Sequence, residues 1–272
     1  MIPRRAFIGC MLCLAAARNA EALSMTGPLA QGGFVSGRAE PGTRMSLDGM
    51  PVRVGPQGEF AFGFGRDARP ESSLVIAPAR GKAETRKLAI AKRTWIEQPI
   101  SGLPQGMVTP PPETLERIGR EREKVRAARR HDTPEPWFAG GFIWPATGRI
   151  SGVFGSRRIL NGEPRAPHLG VDVARPTGTP VLAAAPGIVR LAEGDLYFQG
   201  GTIILDHGHG VSSSYLHLSR LDVGEGARVA QGQVIGAIGA TGRVTGPHLH
   251  FEIGWKGTPV DPQTALPPMP ES

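Results

Sequence analysis

Cysteine is nearly absent from this chain. There are two in 272 residues, and both, Cys10 and Cys13, fall within the first 22 positions. Beyond them no disulfide and no cysteine-based zinc site can form. Long apolar runs are missing too: the stretch from Ala6 to Ala17 is too short to span a bilayer, so no stable membrane span is expected. The chain is basic, with a formal charge of +7, yet it has no basic groove interleaved with aromatics, no zinc finger and no helix-turn-helix. Nucleic acid is therefore not an expected partner. Histidine is scarce as well, with seven in all, which makes their placement informative.

The N-terminus reads as an export signal. Arg4 and Arg5 precede the apolar run, and Ala20-Glu21-Ala22 offers a cleavage site of small-x-small form. Residues 1–22 are the expected signal peptide. Arg4-Arg5-Ala6-Phe7-Ile8 also resembles a twin-arginine signal, with Pro3 where a small polar residue is usual, so the Sec and twin-arginine routes both stay open. Neither cysteine lies in a convincing lipoprotein motif. Removing these residues takes away Arg4, Arg5, Arg18 and Glu21, and the charge falls from +7 to +5. A basic exported protein suits an anionic envelope, and the expected location is the periplasm.

Residues 23–95 carry short alternating runs such as Arg44-Met45-Ser46-Leu47 and Gly58-Glu59-Phe60-Ala61-Phe62, with Asp48-Gly49 as a tight turn. A small β-sandwich is expected, without catalytic residues of its own, as a scaffold or binding module. Residues 96–138 read as a linker. It is broken by glycine and proline from Pro99 to Pro112 and then carries a charged helix from Glu113 to Arg130 with a thin apolar face. The helix is expected mainly as a solvated spacer; the functional alternative is that it packs near a catalytic groove and limits access. Residues 139–266 hold short, glycine-punctuated strands and no competing helical period, which predicts an all-β domain, with 267–272 as a tail.

The most informative stretch is Gly246-Pro247-His248-Leu249-His250-Phe251-Glu252. Pro247 forbids a helix through this point, and on a strand His248 and His250 share one face. Two other segments supply matching groups. In His168-Leu169-Gly170-Val171-Asp172 a strand entered near Gly170 puts His168 and Asp172 on one side. In Tyr215-Leu216-His217-Leu218-Ser219 the histidine alternates with leucines. Three ligands of His and Asp type with a fourth position open match a catalytic zinc site, whereas a structural one normally has four protein ligands. Two histidines then remain for proton handling. His207 and His209 lie in a glycine-rich turn and are read as structural.

These segments, together with Gly152-Val153-Phe154-Gly155, Val181 to Val189, Ile204-Leu205-Asp206-His207-Gly208 and Gly239-Ala240-Thr241-Gly242, resemble peptidase family M23, the zinc endopeptidases of lysostaphin and LytM type. The resemblance covers roughly the last half of the chain. It implies one Zn2+ held by His168, Asp172 and His250, with His217 and His248 as the unligated catalytic pair. It also implies antiparallel sheets flanking a groove, so the expected fold is mainly β: sandwich, helical linker and LytM-like peptidase domain. The implied activity is hydrolysis of peptide cross-links in peptidoglycan, with its peptide stems as substrate; the implied alternative is a zinc-binding, non-hydrolytic regulator of another wall hydrolase. The family includes enzymes for glycine bridges and for D-alanyl–diaminopimelate cross-links. Gly226 to Ile235 also resembles folds that carry biotin or lipoate, but no lysine occupies the required hairpin.

Overall fold

The computed structural model describes residues 23–270; the expected signal peptide lies outside them. The chain is mainly β with antiparallel sheets. Seven strands come first: β1 (Leu23–Thr26), β2 (Phe34–Ala39), β3 (Arg44–Leu47), β4 (Met50–Val52), β5 (Glu59–Gly63), β6 (Glu71–Ala77) and β7 (Glu84–Ala89). They form two sheets, ordered β1-β2-β5 and β4-β3-β6-β7. The turn between β3 and β4 has Asp48 at φ 49° and Gly49 at φ 81°, the paired left-handed residues that a tight hairpin requires. Phe60, Phe62 and Leu74 are fully buried between the sheets.

The next segment is more structured than a linker. Strand β8 (Glu97–Ile100) is followed by a short helix α1 (Gln105–Val108) and by α2 (Pro112–Ala128). Pro112 opens α2, where its missing N–H costs nothing, and Glu113 sits in the first turn. Arginine and glutamate pair along the helix, as at Arg117 and Glu121 (2.6 Å). Its thin apolar face is Ile118, Val125 and Ala128. Val125 and Ala128 join Leu191, Leu196 and Ile204 in one buried cluster, so α2 packs on the sheet of the C-terminal half.

The remaining strands are β9 (Arg149–Gly152), β10 (Arg157–Leu160), β11 (Glu163–Pro164), β12 (Val171–Ala174), β13 (Pro180–Leu182), β14 (Gly187–Leu196), β15 (Gly200–Asp206), β16 (Val211–Leu221), β17 (Arg228–Val229), β18 (Val234–Ile238), β19 (His248–Trp255) and β20 (Thr258–Val260). The principal sheet runs β17-β14-β15-β16-β19-β12-β9, with β18 and β20 joined to its flanks. Strand β8 pairs in parallel with β10, Arg157 facing Glu97, which stitches the segment after the sandwich into the C-terminal half. One apolar core runs through both halves, from Phe34 and Phe60 to Phe251 and Val260. Ala139-Gly140-Gly141 looks flexible in sequence, but Phe138 and Phe142 beside it are buried, and Phe142 meets Phe34 edge-on at 5.9 Å. Among the described residues no helix is long and apolar enough to cross a membrane.

Candidate metal centre and active site

Strand alternation builds most of the site. On β19, Leu249, Phe251, Ile253 and Trp255 are buried in the core, which leaves His248, His250 and Glu252 on the opposite face. On β12, Val171 and Val173 take the core and Asp172 the site. The two strands are paired so that Asp172 faces His250 and Ala174 faces His248. Opposed residues in an antiparallel pair are the closest side-chain neighbours a sheet offers. His168 comes from the loop before β12; its backbone bonds Gly155 and Ser156, so it does not belong to the strand. Gly152 and Gly170 leave room for this convergence. A Cβ on Gly152 would meet Asp172 Oδ2 at 2.2 Å, and one on Gly170 would meet His250 Nε2 at 2.7 Å.

His217 breaks the alternation. Tyr215 on β16 faces Phe251 and the core, so His217, two residues on, would follow it inward. Its backbone instead has φ 66°, a left-handed conformation uncommon outside glycine, and its ring turns to the site. The ring centroid lies 4.8 Å from that of His248 and 6.0 Å from that of His250. This twist was not readable from the leucine alternation.

The ring tautomers follow from neighbours that can only accept. His168 Nδ1 donates to the Val153 carbonyl (3.0 Å) and His250 Nε2 to Glu252 (3.0 Å). His217 Nδ1 donates to the Thr241 carbonyl and His248 Nδ1 to that of Gly246, both at 2.9 Å. Three other atoms then converge: His168 Nε2, His250 Nδ1 and Asp172 Oδ1, separated by 2.8, 3.0 and 2.7 Å. All three residues are buried. Burial pushes the His168 pKa down to about 4. Burial also works against charge on His250, but the carboxylates of Asp172 and Glu252 outweigh it and hold its pKa up to about 9. Asp172 is likewise opposed by burial, yet its contacts with both imidazoles keep it well below the usual carboxylate range. One proton is thus shared among three acceptor atoms. Such a cluster calls for a cation, and a metal ion bound by two imidazoles and a carboxylate, with one position open, fits it. Burial lowers the pKa values of both His217 and His248, helped at His217 by the cost of a second positive charge beside His248 and opposed at His248 by Asp172.

Glu252 carries no role in the sequence reading, although i+2 spacing from His250 places it on the same face. Here it accepts from His250 and from Arg129, next to the end of α2. His207 and His209 lie elsewhere, bonded to Pro186, Ser213 and Pro134. His168, His217 and His250 open on a cavity of about 410 Å³, one wall of which is α2 through Ile118, Arg122 and Val125. The helix therefore stands beside the groove, where a solvated spacer would not.

A crystal structure of a peptidase M23 protein from Pseudomonas aeruginosa superposes on this chain with a TM-score of 0.67 and 31% identity, over 86% of this chain and 93% of that one. This chain belongs to peptidase family M23. The model of that family, described as Peptidase family M23, matches residues 166–262, which include all five site residues. Among curated relatives, the peptidoglycan DD-endopeptidase ShyA of Vibrio cholerae is 44% identical over 125 residues, 46% of this chain and 29% of ShyA. The lipoprotein NlpD/LppB homolog of Pseudomonas aeruginosa is 43% identical over 130 residues, 47% of this chain and 40% of that protein. The chain thus matches well under half the length of either relative.

Proposed function

We propose that this protein is an exported zinc metalloendopeptidase that hydrolyses peptide cross-links of peptidoglycan, of the D-alanyl–diaminopimelate type. The observation that carries the reading is the convergence of one ligand atom each from His168, Asp172 and His250, with the His217 and His248 rings packed beside them. These three residues are the proposed zinc ligands, one ion per chain. When bound, zinc supplies Lewis acidity to the scissile carbonyl and acidifies a water.

The chain's own residues do the rest. His217 and His248 each donate Nδ1–H to a backbone carbonyl, so each keeps a bare Nε2; His217 lines the cavity, and His248 Nε2 lies 3.8 Å from Asp172 Oδ1. Both are neutral near pH 7, so either can take a proton from an attacking water and pass it to the departing amine. Glu252 fixes the tautomer of His250, as carboxylates behind metal-bound histidines do. ShyA's designation as a DD-endopeptidase supports the substrate class, and an envelope location follows from it.

The test pairs zinc content with release of un-cross-linked muropeptides from isolated peptidoglycan. Zinc-loaded protein should cleave, and a chelator should abolish cleavage. Stoichiometric zinc without any release from several peptidoglycan types would leave the non-hydrolytic regulator standing instead.

A further inference from the structure

The cavity holds more positive charge than the proposed chemistry uses. Its two lining carboxylates are engaged. Glu121 is bonded by Arg117 (2.6 Å) and by the Tyr197 N–H (2.8 Å), and Glu252 by His250 and Arg129. Two guanidinium groups on the same walls are not matched, and a third is matched only in part. Among the described residues, Arg122 and Arg243 have no carboxylate within ion-pair distance. Arg158 reaches Asp172 Oδ2 at 3.3 Å, and its buried Nε has no partner.

Arg243 is the most exposing case of this imbalance. Its guanidinium lies 4.5 Å over the Phe198 ring, and its one polar contact is with the Met107 carbonyl at 3.4 Å. Burial, and then the neighbouring charges of Arg158, Arg165 and Arg122, push its pKa down to about 10, so it is still a cation at neutral pH. Partly burying an unpaired charge is costly. Arg158, also half-buried, and the more exposed Arg122 stand on the same walls and add to the cost, as would a zinc dication. The position is also close to the chemistry. Arg243 follows by two residues Thr241, whose carbonyl holds His217, and Arg158 stands behind Asp172.

Resting on the proposed peptidase reading, we infer that Arg122, Arg158 and Arg243 form a carboxylate-binding subsite, so that the peptide cleaved here carries a free carboxylate beside the scissile amide. The guanidinium fork matches a carboxylate, and charge-assisted bonds in a cavity are the strong ones. A D-alanyl–diaminopimelate cross-link has such a group on the carbon bearing the amide nitrogen, and its stems carry others farther off. A glycine bridge has none at that place.

The experiment compares kcat/KM of the zinc-loaded full chain on three forms of one cross-linked muropeptide: all carboxylates free, the carboxyl next to the scissile amide converted to an amide, or only the distant carboxyls amidated. The expected result is a preference for the free acid over the first amide of about 10–100-fold, the range for a lost charge-assisted hydrogen bond, and little preference over the second. In Arg243→Gln that preference should shrink toward unity, and Arg243→Lys should restore part of it. Equal rates on acid and adjacent amide, or a preference unchanged in Arg243→Gln, overturn the subsite; a preference set by the distant carboxyls alone overturns its placement. If zinc-loaded protein cleaves none of the three, the peptidase reading fails. The subsite is then judged by calorimetric binding of the same peptides to the wild type and to Arg243→Gln, where equal affinity for acid and adjacent amide sinks it.

Discussion

Glu252 accepts the Nε2–H of His250 at 3.0 Å and, through its other oxygen, the guanidinium of Arg129. One carboxylate thus links a candidate metal ligand to the end of α2. Burial works to raise the Glu252 pKa, but the Arg129 charge and the bond from His250 outweigh it and hold it down to about 2, so it is an anion at any working pH. Glu252→Gln keeps the shape but removes the charge that makes His250 a better donor to a metal. Zinc affinity, measured by competition with a chromogenic chelator, should fall about 10–100-fold. An unchanged affinity would mean that Glu252 serves only the helix.

The five histidine and aspartate positions divide by what they lose. His168→Ala, Asp172→Ala and His250→Ala should each abolish zinc binding and hydrolysis together, because three ligands leave no redundancy. His217→Ala and His248→Ala should keep stoichiometric zinc and lose about 10²–10⁴-fold in turnover, the usual worth of a general acid or base. Metal analysis beside muropeptide release separates the two groups. Zinc retained in His250→Ala would refute the ligand set.

Two glycine-to-alanine changes should act in opposite directions. At Gly152 a Cβ would press on Asp172 Oδ2 at 2.2 Å and on the His168 ring at 3.0 Å. Gly152→Ala must therefore displace a proposed ligand, and its zinc affinity should drop with the fold retained. Gly119 lies exposed within α2 with nothing near its Cβ position. Gly119→Ala should stabilise the protein by about 1 kcal/mol, the helix-propensity difference, and leave zinc binding alone. Urea unfolding with parallel zinc titration checks both; a Gly152→Ala protein with full zinc affinity would show that the sheet can open there at no cost.

Period-two patterning was enough to put His248 and His250 on one face of β19, because that strand alternates strictly against a buried core. It also opposed Asp172 to them once β12 was in register. It failed at His217, where one left-handed residue reverses the side chain's direction and no residue type in the sequence announces it. The place of α2 was also hidden. Its apolar face is thin, and what docks it is a patch of β14 and β15 some 70 residues away in sequence, with ion pairs to Glu193 and Asp195. The arginine walls come from positions 122, 158 and 243, which no local motif joins.

The last prediction concerns acid. His207 is fully buried, donates Nδ1–H to the Pro186 carbonyl at 2.7 Å and meets Phe142 edge-on at 5.4 Å. Phe142 in turn packs on Phe34 of the sandwich, so His207 sits where the two halves share their core. Burial pushes its pKa from 6.5 down to about 4. The unfolded chain therefore binds a proton at His207 below about pH 6.5 that the folded chain refuses until about pH 4. Stability from this group is whole above pH 6.5 and is lost progressively as pH falls between those values, by up to about 3 kcal/mol. His207→Gln cannot take up that proton, so its stability should fall less steeply over the same window whatever its value at pH 7. Urea unfolding of the zinc-free protein at pH 7, 5.5 and 4.5, wild type against variant, reads the difference directly. Because the core is shared, the wild type should also lose both halves in one transition. Parallel slopes in the two proteins would show that His207 takes up its proton without unfolding.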